Sequence, residues 1–196
     1  MNKDAALATR RLEPGTSIVQ ARPWQAPPVR LDSPALEVMT DLTQVKAATI
    51  SPASSLQQAE QTMVYQGVRM LLVVSDMPAL EGLITSTDLR GDRQMRVVQQ
   101  RNLHYDELIV ADVMTGLAML DAIDYGGLKT ATVSNVVATL KEHGRNHLLV
   151  VEAASAQTPL RVRGVISRTQ VERQLGSVIQ MTEVANSFAE LGQMLS

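Results

Sequence analysis

Cysteine is absent from the 196 residues of the chain. That excludes disulfides, thiolate nucleophiles, cysteine-ligated zinc and iron–sulfur clusters together. Aromatic side chains make up 3%, with a single Trp and a single Phe, so a stacking platform for single-stranded nucleic acid is not expected. An excess of one charge is lacking too: 18 Lys plus Arg face 20 Asp plus Glu, a formal net charge of -2. Nothing in that balance draws the chain to nucleic acid or to an anionic membrane. No apolar run approaches the roughly 20 residues of a membrane helix, and the opening Met-Asn-Lys-Asp-Ala-Ala-Leu lacks the apolar stretch of a secretory signal. The phosphate-loop, dinucleotide and nucleophile-elbow patterns are missing as well. With three His and no acid–base pair on one element, neither an enzyme nor a metal site is expected. His143 and His147 are four apart, but Gly144 lies between them and breaks the helix that would align them. What is expected is a cytoplasmic globular protein, 45% hydrophobic and so able to bury a core.

Residues 1–33 read as an extended or partly disordered leader. Pro14, Pro23, Pro27 and Pro28 fix φ and remove donors, while Trp24 and Val29 offer residues 16–32 apolar surface to lie along the folded body. From Pro34 onward the chain repeats itself. Val38-Met39-Thr40 returns as Val113-Met114-Thr115, a shift of 75. The run Gln66-Gly67 through Val74 returns as His143-Gly144 through Val151, a shift of 77. Gly82-Leu83-Ile84-Thr85-Ser86-Thr87-Asp88-Leu89 returns as Gly164 through Val171, a shift of 82. A longer loop at Ala153–Pro159 absorbs the drift. Three matches in register indicate an internal duplication, with copies at 34–110 and 111–176.

Each copy has a readable shape. Ser54 or Ser55 caps a helix with Leu56, Ala59, Met63 and Val64 on one stripe, and Gly67 ends it. Met70–Val74 is a short, continuous apolar run, as in a strand buried on both faces, and Glu81–Thr85 is a second strand. Ser86 or Thr87 is then expected to cap a helix from Asp88 onward. In the second copy Thr132 is the cap, Val133, Val136, Val137 and Leu140 form the stripe, and Gly144 stops it. His147–Val151 and Val162–Ile166 are strands, and Ser167 opens the last helix. A strand at Ala47–Ile50 completes a β-α-β-β-α unit, whose exposed sheet needs a twin to cover it.

These residues resemble a tandem pair of CBS domains, a Bateman module. The likeness rests on Val-Met-Thr, on Gly-h-h-Thr-x-x-Asp-Leu at 82–89, and on the helix–Gly–strand element at 58–74; it spans about residues 34–175. It departs from the pattern at Asp121–Thr130, an unusual lead-in, and at Gln170, where the motif Asp is expected. It implies an α+β fold of two repeats related by a pseudo-two-fold axis. It further implies a non-catalytic sensor, like stand-alone prokaryotic CBS-pair proteins, that binds AMP, ADP, ATP or S-adenosylmethionine between the repeats. A homodimer acting on a client protein follows from the same likeness, with no required cofactor. The alternative is a dimerising scaffold with vestigial clefts.

Candidate ligand residues follow from the motif. The resemblance gives Asp88 the ribose diol and Thr85 the sugar or first phosphate, while the N–H groups of Ser86, Thr87 and Asp88 offer a phosphate a partial positive field. The plainer reading is a turn in which Thr85 and Asp88 bond only local amides. Arg69, beside Met70 at the start of the buried strand, is placed to reach phosphates; in the second copy Asn146 and His147 take that position. Ser167 keeps a hydroxyl and Arg168 adds a charge, but Gln170 removes the diol's charged acceptor. That cleft is either empty or suited to a more anionic ligand, so occupancy is expected first at Asp88. The basic stretch Arg90 to Arg101 reads as a solvated helix face. Residues 177–196 carry Val178, Met181, Val184, Ala185, Phe188, Leu191 and Leu195 at helical spacing, an amphipathic tail helix suited to a subunit contact with Phe188 as its anchor.

Overall fold

The computed structural model describes residues 26–153 and 158–180, with residue 6 and residues 8–19. Two four-stranded sheets form its body. In chain order the strands are β1 (Met39–Asp41), β2 (Thr49–Ile50), β3 (Met70–Val74), β4 (Leu80–Thr85), β5 (Thr115–Gly116), β6 (Ala122–Asp124), β7 (His147–Glu152) and β8 (Arg161–Ser167). The helices are α1 (Leu56–Gln66), α2 (Asp92–Arg101), α3 (Val110–Val113), α4 (Tyr125–Leu128), α5 (Val133–Glu142) and α6 (Arg168–Leu175). None of them is long and apolar enough to cross a membrane.

One sheet runs β2-β3-β4-β5 and the other β6-β7-β8-β1, with the same parallel-then-antiparallel pattern in each. That shared order is the duplication in three dimensions. Each sheet, however, ends on a strand from the other copy. The Met-Thr segments precede the first strand of their own copies in the chain and are themselves strands, β1 pairing with β8 and β5 with β4. Two glycines permit this exchange. A Cβ on Gly82 would stand 2.4 Å from the Thr115 carbonyl oxygen, and one on Gly164 would stand 2.6 Å from Met39 Sδ and 2.9 Å from the Thr40 carbonyl oxygen. An ion-pair cluster also holds β1: Arg163 of β8 grips both carboxylate oxygens of Asp41 at 2.9 Å and reaches Glu152 at 3.4 Å.

Strand alternation divides the core. Leu71, Val73 and Ile84 face the helices of the first sheet, with Leu56, Ala59, Met63 and Val113. Leu148, Val150 and Ile166 do the same in the second sheet, with Val133, Val136, Leu140 and Val171. The intervening residues Met70, Leu72, Leu83 and Leu149 meet between the sheets, joined by Leu120, Val162 and Val165. This middle layer fixes the two halves against each other.

Local signals explain the first helix. Ser55 Oγ accepts the Gln58 N–H at 3.2 Å while Gln58 Oε1 accepts the Ser55 N–H at 3.0 Å, a reciprocal capping box. Gly67 closes the helix at φ 66°, and Gly144 takes φ 58° after α5. Val64 is exposed rather than part of the buried stripe. The unusual lead-in is β6 followed by α4, so the second copy has its own counterpart of β2. The helix expected from Asp88 begins only at Asp92, after Gly91, because residues 86–90 form turns. Arg93, Arg96 and Arg101 on it are exposed, and Arg101 pairs with Asp112.

Of the leader, Val29 is buried and its N–H donates to the Gln174 carbonyl at 2.9 Å, while Gln174 Nε2 donates to the Pro27 and Glu37 carbonyls. Trp24 lies outside the described residues. At the other end α6 stops at Gly176 and residues 177–180 are not helical, so no helix begins at 177. The rest of the expected tail helix, Phe188 included, lies outside the described residues.

Candidate functional site

Two clefts open along the seam where the sheets meet, and the internal symmetry relates them. In both copies the motif turn is tied to the start of the adjoining strand: the Ser86 N–H donates to the Arg69 carbonyl at 2.9 Å, and the Arg168 N–H to the Asn146 carbonyl at 2.9 Å. Because the halves face each other, each motif turn opens onto the helix–Gly–strand element of the opposite copy.

The first cleft, of about 200 Å³, combines Thr85, Thr87 and Asp88 with Thr115, Leu120, Asp121 and the segment His143–Leu149. The second, of about 400 Å³, combines Ser167, Thr169, Gln170 and Arg173 with Thr40, Lys46 and the segment Gln66–Met70. His147 lines both. The structure therefore separates residues that the sequence reading placed together. Arg69 and Met70 face the Gln170 cleft, and the Asp88 cleft receives Arg145 and Asn146 instead. Ser86 turns away to an outer hollow with Arg69 and Arg90. Arg168 lines neither cleft; its Nε pairs with Glu172 at 3.2 Å along α6. Asp121, His143, Arg145, Lys46 and Arg173 were not marked as ligand residues. The duplication was the available signal, since a two-fold crossing brings each turn to the other copy's strand.

The Asp88 turn is closed by its own carboxylate. Asp88 Oδ2 accepts the Thr85 N–H at 2.8 Å and the Thr85 hydroxyl at 2.7 Å, and the Asp88 N–H donates weakly to Thr85 Oγ1 at 3.4 Å. The plainer reading of the turn is thus satisfied, but only one carboxylate oxygen is used; Oδ1 accepts no hydrogen bond among the described residues. A half-buried carboxylate oxygen with free lone pairs at a cleft is an acceptor for hydroxyl groups.

His147 sits between charges of opposite sign. Burial pulls its pKa down to about 4, Arg69 pushes the same way, and Asp88 opposes them. It is a neutral imidazole at pH 7, offering one donor and one acceptor. Across the seam, the Thr40 hydroxyl donates only weakly to Gln170 Oε1, at 3.5 Å. Among the described residues no cluster of His, Asp and Glu suited to a metal ion is present.

This architecture has known counterparts. Residues 35–92 match the family model of the CBS domain. Among solved structures, an uncharacterized conserved protein from Pyrococcus horikoshii aligns over 79% of this chain and 100% of its own, at 21% identity and TM-score 0.54. The CBS-pair protein CBSX2 of Arabidopsis thaliana, in a crystal structure described as a complex with AMP, aligns over 72% and 94%, at 21% identity and TM-score 0.52. A CBS-domain-containing protein from Agrobacterium tumefaciens aligns over 68% and 88%, at 18% identity and TM-score 0.50. No curated protein matches the chain at a significant level. The fold is that of a CBS pair. The family match covers residues 35–92, and the second copy, with the exchanged strands β1 and β5, completes that fold.

Proposed function

We propose that the protein is a regulatory module that binds an adenosine-containing ligand, of the AMP, ADP, ATP or S-adenosylmethionine type, in the Asp88 cleft. The observation that carries this reading is the unused Oδ1 of Asp88, a residue that lines a cleft whose other wall comes from the opposite copy. In this reading Oδ1 accepts the ribose hydroxyls, while Leu83, Leu120 and Leu149 give the base an apolar surface. At about 200 Å³ the cleft is below the usual range of about 300–1,000 Å³ for a whole ligand. Part of a nucleotide therefore stays outside, where Arg145 and His143 are exposed. The AMP complex of a protein with this fold supports the choice of ligand class.

Because the two walls belong to different copies, a ligand between them favours one arrangement of the halves over another. The signal is bounded by that preference, about 1–3 kcal/mol for typical coupled sites. The test is calorimetric titration with AMP of the wild type and of Asp88→Asn. Asparagine keeps an acceptor for Thr85 but puts an amide where Oδ1 stood, so affinity should fall at least about tenfold. Unchanged affinity would show that Asp88 does not hold the ribose.

A further inference from the structure

The Gln170 cleft differs from its twin in charge as well as size. Its lining includes Lys46, Arg69 and Arg173, and no Asp or Glu, whereas the Asp88 cleft sets two carboxylates, Asp88 and Asp121, against Arg145. Among the described residues none of the three cations makes an ion pair. Three like charges around one opening repel each other unless an anion joins them. Hydroxyls of Thr40, Ser167 and Thr169 line the same opening. The Thr40 hydroxyl reaches the amide oxygen of Gln170 only weakly, at 3.5 Å, and the Nε2 donors have no partner among the described residues.

We infer that this cleft binds a chain of linked phosphates and has no need of a cis-diol. Gln170 stands where the other turn has its carboxylate; a carboxylate accepts from hydroxyls and repels phosphate, while an amide N–H donates to phosphate oxygens. Arg69 and Arg173, from opposite copies, would clamp the chain from two sides, each guanidinium able to hold two oxygens. The ligand chemistry is a polyphosphate, either free or as the tail of a nucleoside triphosphate. The inference does not depend on nucleoside binding at Asp88.

The test is calorimetric titration of the full chain with sodium tripolyphosphate, ATP and 2′-deoxy-ATP. Tripolyphosphate should bind, and the Arg69→Ala/Arg173→Ala double variant should weaken it at least about tenfold. Gln170→Asp should weaken it too, and Asp88→Asn should leave it unchanged. In the Asp88→Asn background, where the ribose acceptor is removed, ATP and 2′-deoxy-ATP should bind equally. Equal affinity for tripolyphosphate and ATP would identify a free phosphate chain as sufficient; tighter ATP, displaced by tripolyphosphate, would identify a triphosphate tail. The inference is overturned if tripolyphosphate does not bind, if the double variant binds it as the wild type does, or if Asp88→Asn abolishes its binding. Either arginine is exposed, so the double variant is expected to fold, and Gln170→Asp gives an independent readout. Loss of this inference with AMP binding intact would leave the Asp88 reading standing.

Discussion

Replacing Gly82 by alanine tests how the two copies are locked together. The added methyl would sit 2.4 Å from the Thr115 carbonyl oxygen, 3.1 Å from its carbon and 3.2 Å from Gly116 Cα, where ordinary contact begins at 3.4 Å. All three atoms are backbone of β5, so no side chain can swing aside. The strands must part by about 1 Å, which strains or breaks the short β4–β5 ladder at Gly82–Gly116 and Leu83–Thr115. Overpacking costs about 1–3 kcal/mol, and each weakened ladder bond about 1 kcal/mol more. The stiffer unfolded chain offsets about 0.4–1 kcal/mol. The net is about 2 kcal/mol, or about 4–8 °C in Tm for a chain of this size. Gly116→Ala is the control: its Cβ meets nothing within 4 Å and its φ of -73° suits any residue, so stability should hold or rise slightly. Since β5 leads into Leu120 and Asp121 of the Asp88 cleft, Gly82→Ala should also weaken AMP binding. Urea unfolding reads the first effect and calorimetry the second. Equal stability of the two variants would refute the close approach of the exchanged strand.

Two pH dependences follow from the buried and paired groups. The pKa of His147, held at about 4 against an ordinary 6.5, lets the unfolded chain take up a proton that the folded one refuses. Stability should therefore fall as pH drops from about 6.5 toward 4, and His147→Gln should flatten that slope in urea midpoints. For Asp41 the sign is opposite in origin but alike in direction. The Arg163 hydrogen bonds, with those from Thr43, hold its carboxyl well below the usual carboxylate range. Its contribution is present above the ordinary carboxylate pKa and is lost as acid titrates it through the lowered value. Asp41→Asn should thus be less stable than wild type at neutral pH, with the gap closing below about pH 4.

Much of the architecture was legible because its signals are local. Ser55, Gly67 and the run Met70–Val74 announce a capped helix, its stop and a buried strand within twenty residues, and the second copy repeats the message. The exchanged strands were not legible: β1 and β5 have three and two residues, too few for periodicity, and exist through pairing with distant partners. The glycines at 82 and 164 read as motif positions, yet their reason is the approach of those strands. The helix expected from Asp88, with Ser86 or Thr87 as its cap, starts four residues later at Asp92, because residues 86–90 are taken up by turns that composition does not reveal. The grouping of the candidate site residues was not legible in the sequence. Thr85 and Asp88 share a cleft, but Arg69 belongs to the other one, since the two-fold arrangement sets each turn against the opposite strand.

Amide chemical-shift mapping during an AMP titration tests the central claim most directly. A nucleoside held between the two copies should shift the amides of residues 85–88 and of residues 143–148 together, with one common dissociation constant. Shifts confined to one of those segments, or none at either, would contradict it.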